Sequence, residues 1–157
     1  MNNIKYTQAT TEHLEDLILS RIDFMTSYWG AQPDTSVRQL RMELREFFER
    51  EIPLKTYISW LAHEGEKLAG VGGMKVYQIP GNFRVPNGMM AYILNMYTYP
   101  DFRNQGIATE IVKRLVETGQ ELGVRLFDLH ATKAGEPVYL KAGFKLHDEP
   151  SYRKLIL

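Results

Sequence analysis

The chain is 157 residues long, the size of one domain with room for a sizeable core. Its 19 lysines and arginines balance its 19 aspartates and glutamates, which gives no support for a nucleic-acid partner, since that normally needs a basic face. It has no cysteine, which excludes disulfides, thiolate catalysis and cysteine–metal sites.

Ile4 to Ala9 reads as a short first strand. From Thr11 onward, Leu14, Leu17, Ile18, Ile22 and Met25 recur at helical spacing. A break follows at Gly30-Ala31-Gln32-Pro33, and Asp34 or Ser36 is placed to cap a second helix carrying Val37, Leu40, Leu44, Phe47 and Phe48. The charged remainder of that helix reads as a solvated face held by i,i+4 pairs. Thr56 to His63 and Lys67 to Gln78 are rich in strand formers and are separated by Glu64-Gly65-Glu66, which predicts a hairpin. After a loop holding Pro80, Gly81, Pro86 and Gly88, the run MMAYILNMY (Met89 to Tyr97) predicts a strand buried on both faces. Ala108, Ile111, Val112, Leu115, Gly119 and Leu122 mark one face of a long helix that Gly123 ends. Val124 to Ala131 then reads as a strand parallel to the previous one. A short helix around Pro137 to Ala142 and a final hairpin, turning near Asp148-Glu149-Pro150, complete a mixed α/β (α+β) chain. No repeat or linker divides it, so one domain over residues 1–157 is expected. No apolar run is long enough to span a bilayer. The N-terminal MNNIKYTQATTEH lacks the layout of a signal peptide. A cytoplasmic protein with no membrane partner is the expectation.

The junction between the buried strand and the long helix, YPDFRNQGIATEI, is chemically specific. A helix N-terminus presents unpaired N–H groups and about half an elementary positive charge. Gly106 lets a ligand approach the backbone, and Arg103 adds forked donors suited to phosphate oxygens. An anion site, such as one for a diphosphate, is one reading; a solvated turn with a surface arginine is the other. No G-x-x-x-x-G-K-[ST] is present, so this is not a P-loop. Gly70, Gly72 and Gly73 are followed by strand, not helix, which removes a dinucleotide reading. They instead predict a place where another backbone or a ligand lies close to the sheet. Further on, EPVYLKAGFKL places Tyr139 on the short helix. Its phenol, of reference pKa about 10, is either a proton donor to a leaving thiolate of pKa about 8.5 or a packing tyrosine.

Taken in order, strand, R-x-x-G-x-A, helix, strand and Y-x-K-x-G-F resemble the GNAT superfamily of N-acetyltransferases, from about Tyr57 to the C-terminus. The matching segments are Arg103-Asn104-Gln105-Gly106-Ile107-Ala108 and Tyr139 to Phe144. The resemblance implies a central, mostly antiparallel sheet with one splayed parallel strand pair, flanked by helices. It implies acetyl-CoA as co-substrate, with backbone groups of Asn104, Gln105, Gly106, Ile107, Ala108 and Thr109 holding the pyrophosphate and Arg103 assisting. Met96-Tyr97-Thr98 would offer a free strand edge to the pantetheine arm, an amide near Met96 or Tyr97 would stabilise the oxyanion, and Tyr139 would protonate the thiolate. The acceptor would be a small-molecule or peptide amine, and homodimers are common in the family. A non-catalytic acyl-CoA-binding or regulatory module is the competing expectation. Thr132 stands where many members have a cofactor-binding asparagine. Where some members place a glutamate base on the strand before the motif, this chain has Tyr92 and Asn95 as polar residues. Amine deprotonation then falls to ordered water or to His130, which is otherwise a structural histidine at a strand end. Arg21, Asp23, Tyr28 and Trp29 are candidates for the acceptor groove. His13, His63 and His147 show no ligand spacing, so no metal is expected.

Overall fold

The structure, a computed structural model, describes residues 3–157. Five strands form one sheet in the order β1 (Ile4–Gln8), β2 (Tyr57–Glu64), β3 (Lys67–Gln78), β4 (Met89–Thr98) and β5 (Leu126–Leu129). The first three pairings are antiparallel and β4–β5 is parallel. The β2–β3 pair is the expected hairpin, with Glu64 opposite Lys67 and Gly65 at φ 60° in the turn.

Helices cover both faces. On one side lie α1 (Leu14–Trp29) and α2 (Asp34–Glu51), whose Leu17, Ile18 and Phe48 pack with Tyr57, Leu61 and Val71. On the other lies α3 (Ile107–Glu121), whose Ile107, Ile111 and Leu115 pack with Ile58, Ala62, Met74, Val76, Ala91 and Ile93. Odd and even residues of β2 thus enter different cores, as the pleat requires. The crossover from β4 through α3 to β5 makes the parallel pair, because parallel neighbours need a long connection. A short helix, α4 (Glu136–Lys141), follows β5.

Two expectations are corrected, and a third is extended. Asp34 is the first residue of α2 and not its cap; neither it nor Ser36 makes a capping bond, and Asp34 acts instead as a first-turn acid facing the helix dipole. The charged face of α2 is only partly self-paired. Its expected i,i+4 pairs are present, Gln39 to Glu43 at 2.9 Å and Arg45 to Glu49 at 3.9 Å, and Arg41 and Arg45 also clasp Glu15 of α1. The final hairpin is absent: no strand forms after α4. Leu146, Tyr152, Leu155, Ile156 and Leu157 are all exposed, and a hairpin without a packed face gains too little to offset the ordering of its chain.

Candidate active site

The interior of β4 contains one residue too many for its partner. Val71 pairs with Tyr97 and Gly73 with Leu94, so Asn95 and Met96 together face Gly72. This is a β-bulge, and Asn95 adopts φ 59° to make it. Asparagine is one of the few residues that tolerates the left-handed region. The bulge changes the phase of the strand: Met89, Ala91 and Ile93 pack on the α3 side, but so does Met96, while Tyr97 joins Leu94 on the α1 side. The sheet is hollowed to receive it. A Cβ on Gly72 would collide with the Met96 sulfur and Ile111, and one on Gly73 with the Tyr57 hydroxyl. Side chains, and not a backbone or ligand, therefore account for these two glycines.

Pairing between β4 and β5 ends at Ile93 and Leu129. Beyond it, Leu94 to Thr98 have no strand on that side, and a cleft of about 850 Å³ opens there. Its floor is β4 from Tyr92 to Thr98, one end is the start of α3, one wall is Arg21 and Phe24 of α1, and the other is the segment from His130 to Lys141. Phe24 holds the α1 wall against the bulged strand by ring contact with Tyr97 at 5.7 Å.

At the α3 end, Asn104 (φ 62°) and Gly106 (φ 79°) both take left-handed conformations. The N–H groups of Gly106, Ile107, Ala108 and Thr109 donate to no acceptor among the described residues, and the first backbone bond of the turn is Glu110 N–H to the Gly106 carbonyl at 3.0 Å. No atom lies within 4 Å of where a Gly106 Cβ would stand. Arg103 Nε donates to the Thr98 carbonyl at 3.0 Å with its guanidinium over the Tyr97 ring at 5.9 Å, so the forked end stays available. The result is a cluster of free donors with open space before it, the arrangement that binds phosphate.

Across the cleft, Tyr139 of α4 packs edge-on against Phe144 at 6.0 Å. Burial, with a smaller contribution from Tyr92, raises its phenol above the usual value of 10.0. The Tyr92 phenol is raised by burial as well, and its hydroxyl lies 2.6 Å from His130 Nδ1. Thr132 Oγ1 accepts the Gly135 N–H at 3.1 Å and shapes the turn that launches α4.

The acetyltransferase (GNAT) domain family matches residues 32–157 of this chain. The chain belongs to that family. A predicted acetyltransferase with acetyl-CoA from Clostridium acetobutylicum is 28% identical and aligns over 96% of each chain with a TM-score of 0.85. A GCN5-related N-acetyltransferase from Ralstonia eutropha JMP134 is 22% identical, with a TM-score of 0.82 over 97% of this chain and 99% of its own. Glucosamine-6-phosphate N-acetyltransferase from Arabidopsis thaliana shares the fold at 13% identity, with a TM-score of 0.72 over 98% of this chain and 99% of its own. No curated protein matches the chain.

Within this GNAT domain, one cleft gathers Met96, Tyr97, Thr98, Arg103, Asn104, Gly106, Ile107, Ala108, Thr109, His130, Thr132 and Tyr139. Four expected residues fall outside its lining. The Gln105 side chain turns back and donates to the Asp101 carbonyl at 3.4 Å, which does not bear on the role expected of its backbone. Tyr28 and Trp29 are exposed and stack edge-on with each other at 5.8 Å near the end of α1. They follow the same stripe as Arg21 and Phe24, but the stripe passes the cleft before reaching them. Asp23 is also outside, accepting the Tyr99 hydroxyl at 2.6 Å. Phe24 and Phe102 line the cleft without having been singled out by sequence. Helical spacing marked the face on which Phe24 lies, but the position of the cleft along that face depends on the bulge.

Proposed function

We propose that this protein is an acetyl-CoA-dependent N-acetyltransferase acting on a primary amine by direct transfer, without a covalent enzyme intermediate. The observation that carries this reading is the continuity of the cleft. The free amides at the start of α3, the unpaired edge of β4 and the protonated Tyr139 phenol all face one space. The fit to the co-substrate follows from those parts. Gly106 to Thr109 and Arg103 supply donors for a diphosphate. The Leu94–Thr98 edge supplies main-chain groups for an extended amide-bearing arm.

Acetyl-CoA supplies the acetyl group as an activated thioester. Tyr139 keeps its proton through neutral pH, because its phenol is raised, and delivers it to the sulfur as the C–S bond breaks. His130 takes the proton that the amine loses on forming its C–N bond. In the tautomer whose Nδ1–H donates to the Tyr92 oxygen, Nε2 is left as the base. Base and acid then both stand on the wall opposite α1, His130 at its start and Tyr139 on α4.

The test is CoA release from acetyl-CoA in the presence of amino acids, amino sugars, polyamines and peptides. Turnover on one class, with CoA competing far better than ATP for the site, is the expected result. Tight acetyl-CoA binding with no turnover on any amine would mark an acyl-CoA-binding module instead. Equal affinity for ATP and CoA would mark a nucleotide site.

A further inference from the structure

Three arginines are half-buried among the described residues: Arg21, Arg41 and Arg114. Arg41 pairs with Glu15 and Arg114 with Glu110, each at 2.9 Å. Arg21 has neither an ion pair nor a hydrogen bond among the described residues. Its helical neighbours three and four positions away are Leu17, Ile18, Phe24 and Met25, so no acid is within reach along α1. The groups near it on the sheet are neutral. The Tyr57 phenol is pushed up to about 12 by burial, against a smaller opposing influence of Arg21 and Asn95. The Asn95 side chain is buried beside the Tyr57 phenol and is likewise uncharged.

Arg21 lines the cleft, whose wall contains three further basic side chains, Arg103, His130 and Lys141, and no aspartate or glutamate. Acids stand near the wall without lining it: Asp23 accepts the Tyr99 hydroxyl, Asp128 acts on Tyr92, and Asp101 and Glu136 are chain neighbours of the lining Phe102 and Gly135. The charges of Arg21 and Arg153 both bear on the same Tyr92 hydroxyl that meets His130. A half-withdrawn guanidinium without a counter-charge is unfavourable, and an anion from outside relieves it. Polycationic amines meet the opposite situation, since this wall has no carboxylate to receive a second ammonium group.

We infer that the acceptor is an amine that also carries an anionic group, a carboxylate or a phosphate, and that Arg21 binds that group and so selects the acceptor. This rests on the acetyltransferase reading above, whose donor end it leaves unchanged.

The test compares matched probes by CoA release: L-amino acids against their amides, glucosamine 6-phosphate against glucosamine, and spermidine and kanamycin as polycations. The acid member of at least one pair should show kcat/KM about tenfold or more above its neutral partner. In Arg21→Gln that ratio should fall to about one, while the Kd for CoA changes by less than about twofold. The pair that responds tells carboxylate from phosphate. A ratio near one in the unaltered protein, a preference for the polycations, or a ratio that survives Arg21→Gln would overturn the inference. If CoA binds but no probe is acetylated, the enzymatic reading fails by itself. Calorimetric binding of the same probes to the CoA-loaded protein then decides the acceptor question. Acid-selective binding lost in Arg21→Gln upholds it, and unselective or absent binding overturns it.

Discussion

At its α3 end the cleft is made of main chain: the free edge of β4 and the amides of Gly106 to Thr109. At its α1 end it is made of side chains, chiefly Arg21, Phe24 and Tyr92. The first kind of surface recognises a group by shape and charge and tolerates most changes of side chain, because every residue but proline carries the same donor. The second can be rewritten by one substitution. A single domain can therefore keep its donor site and exchange its acceptor.

The largest test of this contrast strikes the main-chain end. Gly106→Trp places a large side chain in the open space before the amides and strains a backbone at φ 79°. The Kd for CoA should rise about 100-fold or more, roughly 2.8 kcal/mol, with thermal unfolding still cooperative. Binding within a few-fold of the unaltered protein would show that the phosphates lie elsewhere.

The wall opposite α1 is tested by Tyr139→Phe, which keeps the ring and removes the proton. We expect kcat to fall about 100-fold, the lower range for a lost general acid, with KM for acetyl-CoA nearly constant. The pH profile carries a second readout. Since burial raises this phenol above 10.0, the proton-donating form persists from neutral pH upward and is lost only beyond that value. An alkaline decline that starts near pH 8 and vanishes in Tyr139→Phe would contradict the assignment.

Gly72→Val probes the point where the two ends join. The new side chain must displace Met96 and Ile111, so overpacking should cost about 1–3 kcal/mol in urea unfolding. An unchanged midpoint would mean that the bulge does not depend on the hollow beneath it. The smallest effect is expected of His130→Gln, about tenfold in kcat, below the usual range for a lost base because ordered water can replace it. An unchanged kcat would leave water as the base.

The backbone-built end was also the more legible one. R-N-Q-G-I-A at a strand-to-helix junction is a local pattern, and its geometry depends on neighbouring residues alone. The α3 stripe of Ile111, Val112 and Leu115 was legible for the same reason, as was the hairpin at Gly65, although its turn is one residue shorter than Glu64-Gly65-Glu66 suggests. The bulge was not, because MMAYILNMY carries no turn signal beyond one asparagine and reads as an unbroken strand. Tyr28 and Trp29 were placed in the groove because periodicity identifies a helix face without saying how far along it a neighbour extends. The C-terminal hairpin was misjudged from its turn residues. Turn chemistry permits a hairpin, but whether one forms depends on an apolar face that only Phe144 begins to provide.

The extra residue at Asn95 gives β4 two reading frames. Before it, odd-numbered side chains enter the α3 core; after it, even-numbered Met96 does so, and Tyr97 is released toward Phe24. Were Asn95 drawn into a regular ladder instead, everything downstream would exchange faces, moving Met96 out of its hollow and Tyr97 into it, whereas deleting it would leave Met96 over Gly72 and Tyr97 opposite Val71. The strand that lines the cleft therefore owes the facing of its last residues to one left-handed backbone conformation, that of Asn95.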